Sequence, residues 1–246
     1  SSVDTVITIV TNTGTAGTAD YTTVSTTVTI PAGQTTVNVT IPITDDLIDE
    51  DDETFTVDGT VTSGNTSNTN PSGTVTIIDN EGPPTVTISS ISVNEDAGDA
   101  VVAVTLSGVS SVDTVITIVT NTGTAGTADY TTVSTTVTIP AGQTTVNVTI
   151  PITDDLIDED DETFTVDGTV TSGNTSNTNP SGTVTIIDNE GPPTVTISSI
   201  SVNEDAGDAV VAVTLSGVSS VDTVITIVTN TGTAGTADYT TVSTTV

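Results

Sequence analysis

A chain of 246 residues holds 32 Asp and Glu but no Lys, Arg or His, so its formal charge is −32; Cys, Met and Trp are absent and aromatics make up 2%. Without a cationic side chain it cannot neutralise nucleic-acid phosphates or dock on anionic lipid through a basic patch. Without thiol or imidazole it lacks the ligands of soft-metal sites and the usual nucleophiles and bases of catalysis.

No apolar run reaches the roughly 18 residues of a membrane span. Ser1 falls inside a repeat, so the missing signal peptide carries no information on export, and the absence of Cys leaves the redox compartment open. High charge with few aromatics is the composition of disorder. Against it, the apolar residues are mainly Val and Ile, and Thr fills about a quarter of positions. All three favour strands. The chain therefore reads as folded β structure, conditional on something neutralising its acids.

Residues Ser1–Pro84 recur unchanged as Ser110–Pro193, and Thr85–Val137 as Thr194–Val246, a period of 109 residues. That is the size of an independent domain and far longer than a solenoid unit. The joint falls at Asp188-Asn189-Glu190-Gly191-Pro192-Pro193 and its earlier copy Asp79–Pro84, where glycine and paired prolines end a strand and stiffen the connection. On that phase residues 83–191 form one complete repeat. Residues 1–82 are the C-terminal part of a preceding copy and 192–246 the N-terminal part of a following one, as expected of a piece of a longer array.

In chain order, the complete repeat predicts strands at Thr85–Ser92, Ala100–Ser107, Asp113–Thr120, Thr135–Ile139, Thr144–Ile152, Glu162–Thr171 and Gly182–Ile187. Pro140–Gln143 is a tight turn between the fourth and fifth. The fifth is clearest, with Val146, Val148, Ile150 and Ile152 on one face and Pro151 on the other. A proline there marks an edge or a bulge. Seven short strands with no helical periodicity read as an all-β antiparallel sandwich, Ig-like, repeated in tandem as a rod.

Seven of nine residues from Asp154 to Glu162 are acidic. Two carboxylates about 4 Å apart repel by about 4 kcal/mol at an effective dielectric near 20. With no Arg or Lys to offset this, cations from solution must. An excess of hard oxygens without nitrogen or sulfur suits Ca²⁺, which takes 6–8 oxygens in adaptable geometry, better than Mg²⁺. Acidic runs are commonly solvated loops. Here the run ends at a strand beside Phe164, and Glu95, Asp129 and Asp188 fall at other strand junctions, which a sandwich gathers at its ends. The run lacks the glycine of an EF-hand loop.

Taken in order, Asp129-Tyr130, Ile139–Gln143, Asp154–Phe164 and Thr185–Asp188 resemble the Calx-beta domain, the calcium-binding sandwich of sodium–calcium exchangers, integrin β4 and very large bacterial surface proteins. The resemblance implies calcium at one end of the sandwich, beside the joint. Its implied ligands are Glu95, Asp129, Asp154, Asp155, the carbonyl of Ile157, Glu159, Glu162 and Asp188. Asn189 and Glu190 follow where the exchanger domain has further aspartates, and Asn189 adds an oxygen but no charge. The preceding copy keeps Asp20, Asp45, Asp46, Ile48, Glu50, Glu53, Asp79 and Glu81; the following copy keeps Glu204 and Asp238. Asp158, Asp160 and Asp161 match no ligand position and are expected to be solvated.

Tyr130 and Phe164 are expected to plug the core. Asn147-Val148-Thr149 and Asn174-Thr175-Ser176 match glycosylation sequons, which Asn- and Thr-rich sequence produces by chance. Paired carboxylates could serve a glycosidase, but the aromatic platforms of such a cleft are missing, so an enzyme is not expected. The expectation is a calcium-stiffened extender of a bacterial surface adhesin, extracellular, whose partners are the neighbouring identical repeats. The alternatives are a calcium sensor acting on another protein, and a repeat surface that itself binds glycan or ice.

Overall fold

The computed structural model describes every residue from Ser1 to Val246. The first repeat contributes β1 (Thr5–Thr13), β2 (Ser25–Ile30), β3 (Ile48–Asp49), β4 (Glu53–Ser63) and β5 (Ser72–Ile77). The complete repeat contributes β6 (Val86–Ile88), β7 (Ile91–Asn94), β8 (Asp99–Leu106), β9 (Val109–Ser110), β10 (Thr114–Thr122), β11 (Ser134–Ile139), β12 (Thr145–Pro151), β13 (Ile157–Asp158), β14 (Glu162–Ser172) and β15 (Ser181–Ile187). The third contributes β16 (Val195–Ile197), β17 (Val213–Leu215), β18 (Val218–Ser219), β19 (Thr226–Val228) and β20 (Ser243–Thr245).

In the complete repeat two sheets face one another, one ordered β11-β10-β14-β15-β7 and the other β12-β8-β6. Alternation along each strand sets which side is buried. In β8, Ala100, Val102, Val104 and Leu106 point inward while Asp99, Val101, Ala103 and Thr105 point away. Eighteen buried residues from both sheets form one core. Tyr130 stacks on Phe164 at 3.9 Å between ring centroids, closing that core at its acidic end. Two plugging aromatics and an all-β sandwich are what the sequence predicts.

The strand predicted over Thr85–Ser92 is two strands. β6 pairs with β8 in one sheet, and β7 crosses to pair in parallel with β15 in the other. β12 is an edge strand with Pro151 at its end, opposite Asp99, so the missing N–H costs the ladder nothing. Ile152 continues as an isolated bridge to Tyr130. A three-residue 3₁₀ turn, Glu95–Ala97, follows β7.

Identical sequence does not give identical structure in the partial copies. Thr145–Pro151 is a strand, while the same seven residues at 36–42 form none. The difference is the partner: β12 pairs along its whole length with β8, and residues 1–82 contain no counterpart of β8. Ile139 is accordingly buried and Ile30 only partly so. The first repeat keeps the sheet β2-β1-β4-β5 and three buried core residues, Ala16, Tyr21 and Phe55. No residue after Pro192 is buried. Burial of apolar area, not local strand preference, decides which segments become strands here.

Consecutive repeats meet through two-residue parallel strands that no local pattern predicts. β3 pairs with β9, and β13 with β18. β8 starts beside Glu95 and runs the length of the sandwich before β9 begins, so the acidic end of one repeat abuts the opposite end of the next.

Candidate metal centre

Four segments deliver carboxylates to the acidic end of the complete repeat. Glu95 opens the 3₁₀ turn after β7, with Gly98 at φ 79° turning the chain into β8. Its side chain is only 6% exposed, and Oε1 accepts the N–H of Asp155 at 2.9 Å. Asp129 closes the loop that follows β10. Gly123 makes that loop possible, because a Cβ there would lie 2.4 Å from the Thr163 carbonyl oxygen of β14. Two hydrogen bonds then fix Asp129: Gly126 N–H donates to Oδ2 at 2.6 Å, and Thr153 N–H to its carbonyl at 2.8 Å. Glu159 and Glu162 come from the acidic run, Glu162 as the first residue of β14, and Asp188 follows β15, with Glu190 two residues on.

Oxygens of Asp129, Glu159 and Glu162 lie within 4.8 Å of one another, as do those of Glu95, Asp188 and Glu190. The two groups are adjacent: Glu159 N–H donates to Asp188 Oδ2 at 3.3 Å, and Glu95, Asp129, Glu159, Asp160, Glu162 and Asp188 line one small cavity. The first repeat repeats the first group as Asp20, Glu50 and Glu53. Its cavity, about 210 Å³, is wider and is also bordered by Asp45, Asp46, Asp79 and Glu81.

Packing acids without counterions raises their pKa values. Burial, a hydrogen bond with Asp129 and the charges of Asp129, Glu159 and Glu95 push Glu162 up to about 7. Glu53 shifts upward for the matching reasons, burial first and then Asp20. Burial followed by neighbouring carboxylates also raises Glu50 and Glu159. Burial raises Glu95 too, against a smaller lowering by the Asp155 N–H. Asp188 Oδ1 and Glu190 Oε2 are buried with no hydrogen-bond partner. Buried acceptors left orphaned are costly, and all-oxygen donors in this number fit a hard divalent cation. The residues therefore fit Ca²⁺: Glu95, Asp129, Glu159, Glu162, Asp188 and Glu190 would hold it.

The other nominated residues stand at graded distances from that set. Asp155 Oδ1 caps the N–H of Ile157 at 2.7 Å, and its charge acts on both Glu95 and Glu159. Asp154 is exposed, yet its charge reaches Glu190. Ile157 lies in β13, paired with Val218 of the next repeat. Asn189 is exposed and donates to Glu190 Oε1 at 3.1 Å, outside both groups. Asp46 caps Ile48 at 2.8 Å. Glu204 and Asp238 are exposed but border one cavity with Tyr239, and Gly235 N–H donates to Asp238 at 2.8 Å as in the complete repeat.

Of the three residues expected to be solvated, Asp160 and Asp161 are exposed and Asp158 is not. Asp160 is exposed but borders the cavity, and Asp161 Oδ1 accepts the N–H of Asp188 at 3.4 Å. Asp158 is half-buried in β13, and its counterpart Asp49 is 3% exposed. Nothing within one repeat's sequence signals this, because the covering atoms belong to the next repeat.

A Calx-beta domain model matches residues 2–82, 79–191 and 188–246. No curated protein matches the chain. Among solved structures, the apo-form Calx CBD1 domain is 21% identical, covering 44% of this chain and 98% of that one, with a TM-score of 0.38. CBD12 from CALX1.2 is 17% identical, covering 71% and 72%, with a TM-score of 0.35. The calcium binding domain CBD12 of CALX1.1 is 17% identical, covering 68% of each, with a TM-score of 0.33. Similarity at these scores carries no inference about the metal. The family model spans nearly the whole sequence in three tandem units, and the chain belongs to the Calx-beta domain family.

Proposed function

We propose that the chain is a calcium-stiffened spacer, a run of identical sandwiches that holds an adhesive tip away from a bacterial cell surface. Calx-beta domains bind calcium, and the chain belongs to that family. The observation that carries the reading is the convergence of six carboxylates from separate segments, with orphaned buried oxygens and no cation anywhere in the sequence. Calcium supplies the positive charge that lets these segments stay packed; the protein's residues orient oxygens and exclude water.

The joint lies within the same loop, since β13 sits between Asp155 and Glu159. Fixing those flanking residues fixes the strand that meets the next repeat. A hundredfold excess of calcium over its dissociation constant adds about 2.7 kcal/mol, and millimolar calcium outside cells suits weak modules of this kind. Unchanged copies favour a spacer over a sensor, because a spacer needs length and not diversity. No helix is long and apolar enough to cross a membrane.

Small-angle scattering with calcium and with chelator tests this. Calcium is expected to lengthen and stiffen the particle; an equally extended and equally rigid metal-free particle would refute the reading.

A further inference from the structure

We propose that consecutive repeats are locked head to tail by a direct protein contact centred on the buried Asp49, an interaction surface distinct from the carboxylate cluster and shaped for a second copy of the same repeat. A carboxylate taken out of water is costly unless hydrogen-bonded. Asp49 is 3% exposed, and its Oδ2 accepts Asn174 Nδ2–H from the next repeat at 2.9 Å. Its carbonyl accepts both the N–H and the Oγ–H of Ser111, each at 3.1 Å. Ile48 and Asp49 pair in parallel with Val109 and Ser110, and Ser110 is 1% exposed.

The two faces are complementary, not alike. One end offers the Asp49 acceptors, and the other end offers the donors of Ser111 and Asn174. Such a heterologous contact cannot close on itself as a symmetric dimer and propagates in a line. The second joint repeats its backbone half: Ser220 N–H and Oγ–H donate to the Asp158 carbonyl at 3.1 and 3.0 Å. Residues 192–246 contain no counterpart of Asn174, and Asp158 is correspondingly less buried than Asp49.

The bonds of Asp49 to Ser111 and Asn174 are direct protein hydrogen bonds, so the lock is testable apart from the calcium reading. The two share a loop: Asp46 Oδ1 accepts Ile48 N–H at 2.8 Å, and Asp79 Oδ2 accepts Glu50 N–H at 3.2 Å. Those carboxylates hold the dipeptide in place from either side.

The chain has no native cysteine, so spin labels can be placed by Thr27→Cys and Thr136→Cys, equivalent exposed positions on β2 and β11. Pulsed dipolar distances in the full chain are measured first in chelator. The parent is expected to give a narrow distribution. Asn174→Asp sets two carboxylates against each other at hydrogen-bond distance and is expected to broaden it roughly twofold. The exchange Asp49→Asn with Asn174→Asp restores one donor and one acceptor and should return the narrow distribution, the signature of pairwise coupling. Circular dichroism melting of each variant reports whether the repeats stay folded, and Asn174→Ala, which removes the donor without adding charge, should fall between parent and Asn174→Asp. A parent already broad in chelator, an Asn174→Asp variant as narrow as the parent, or an exchange as broad as Asn174→Asp would overturn the lock. Adding calcium then separates the two claims: a parent distribution insensitive to calcium contradicts calcium stiffening but leaves the lock intact.

Discussion

Replacing Glu162 with Gln should stabilise the metal-free protein and weaken its response to calcium. The two effects have opposite signs because the carboxylate is a liability without a cation and an asset with one. In the folded chain Glu162 is raised from 4.5 to about 7, through burial first and then through Asp129, Glu159 and Glu95. The folded state therefore holds a proton that the unfolded state has released between pH 4.5 and 7. Its stabilising contribution is complete below pH 4.5 and is lost as the pH rises through 7. At 1.36 kcal/mol per unit, the full shift corresponds to about 3.4 kcal/mol at pH 8. Glu162 is only partly buried, and screening by solvent reduces this to about 1–2 kcal/mol. Gln keeps the volume and can donate an amide hydrogen to Asp129. Calorimetry at pH 8 in chelator should show the complete repeat melting about 4–8 °C higher in the variant. The gain should shrink as the pH approaches 4.5. With calcium the order reverses, since a hundredfold weaker site forfeits about 2.7 kcal/mol at fixed metal excess. A lower melting temperature in chelator at pH 8, or a gain that does not depend on pH, would refute the electrostatic account.

Asp155→Ala should reduce the calcium-dependent melting shift more than Asp154→Ala. Asp155 both caps Ile157 and lies against Glu95, while Asp154 is exposed; titration calorimetry of the two variants giving equal losses would contradict this ranking. Hydrogen exchange offers a test of how partners decide structure. Residues 36–42 and 145–151 yield the same peptide, so mass spectrometry should record one peptide with two isotope envelopes, a slow one from β12 and a fast one from its unpaired copy. A single envelope would show that the segment folds without β8.

What the sequence reveals about the fold depends on whether burial or contact between repeats is at stake. Alternation in β8 and β12 is legible because one face of each strand is buried inside its own repeat. The crossing from β6 to β7 also leaves a trace that the single predicted strand overlooks. Val86 and Ile88 are in one phase, Ile91 and Val93 in the other. A slip of one residue turns a strand's inward face over, and the chain uses the slip to change sheets. Convergence of Glu95, Asp129 and Asp188 on the acidic run is partly legible, since strand junctions gather at sandwich ends. The subdivision into two groups is not, because it depends on which carboxylate oxygens the fold sets within 4.8 Å of one another.

The joint is the least legible feature, and its reason bears on how the array works. β3 and β13 are two residues long, have no apolar alternation, and lie inside the most acidic stretch of each repeat. Taken alone, each reads as a solvated loop. Asp49 is buried by atoms of the following repeat, and Asn174 supplies the amide that makes this burial tolerable. On the two proposals made above, stiffness in such an array has two sources with different dependences. The cluster needs a cation, because its own carboxylates repel one another and leave Asp188 and Glu190 oxygens unsatisfied. The lock needs only the next copy, because donors and acceptors are divided between opposite ends of one repeating unit. Identical repeats follow from that division: each copy must offer its neighbour on one side the donors that its neighbour on the other side offers it. The two proposals then differ in reach: a substitution in one copy is expected to perturb a single joint, whereas loss of calcium is expected to perturb all of them together.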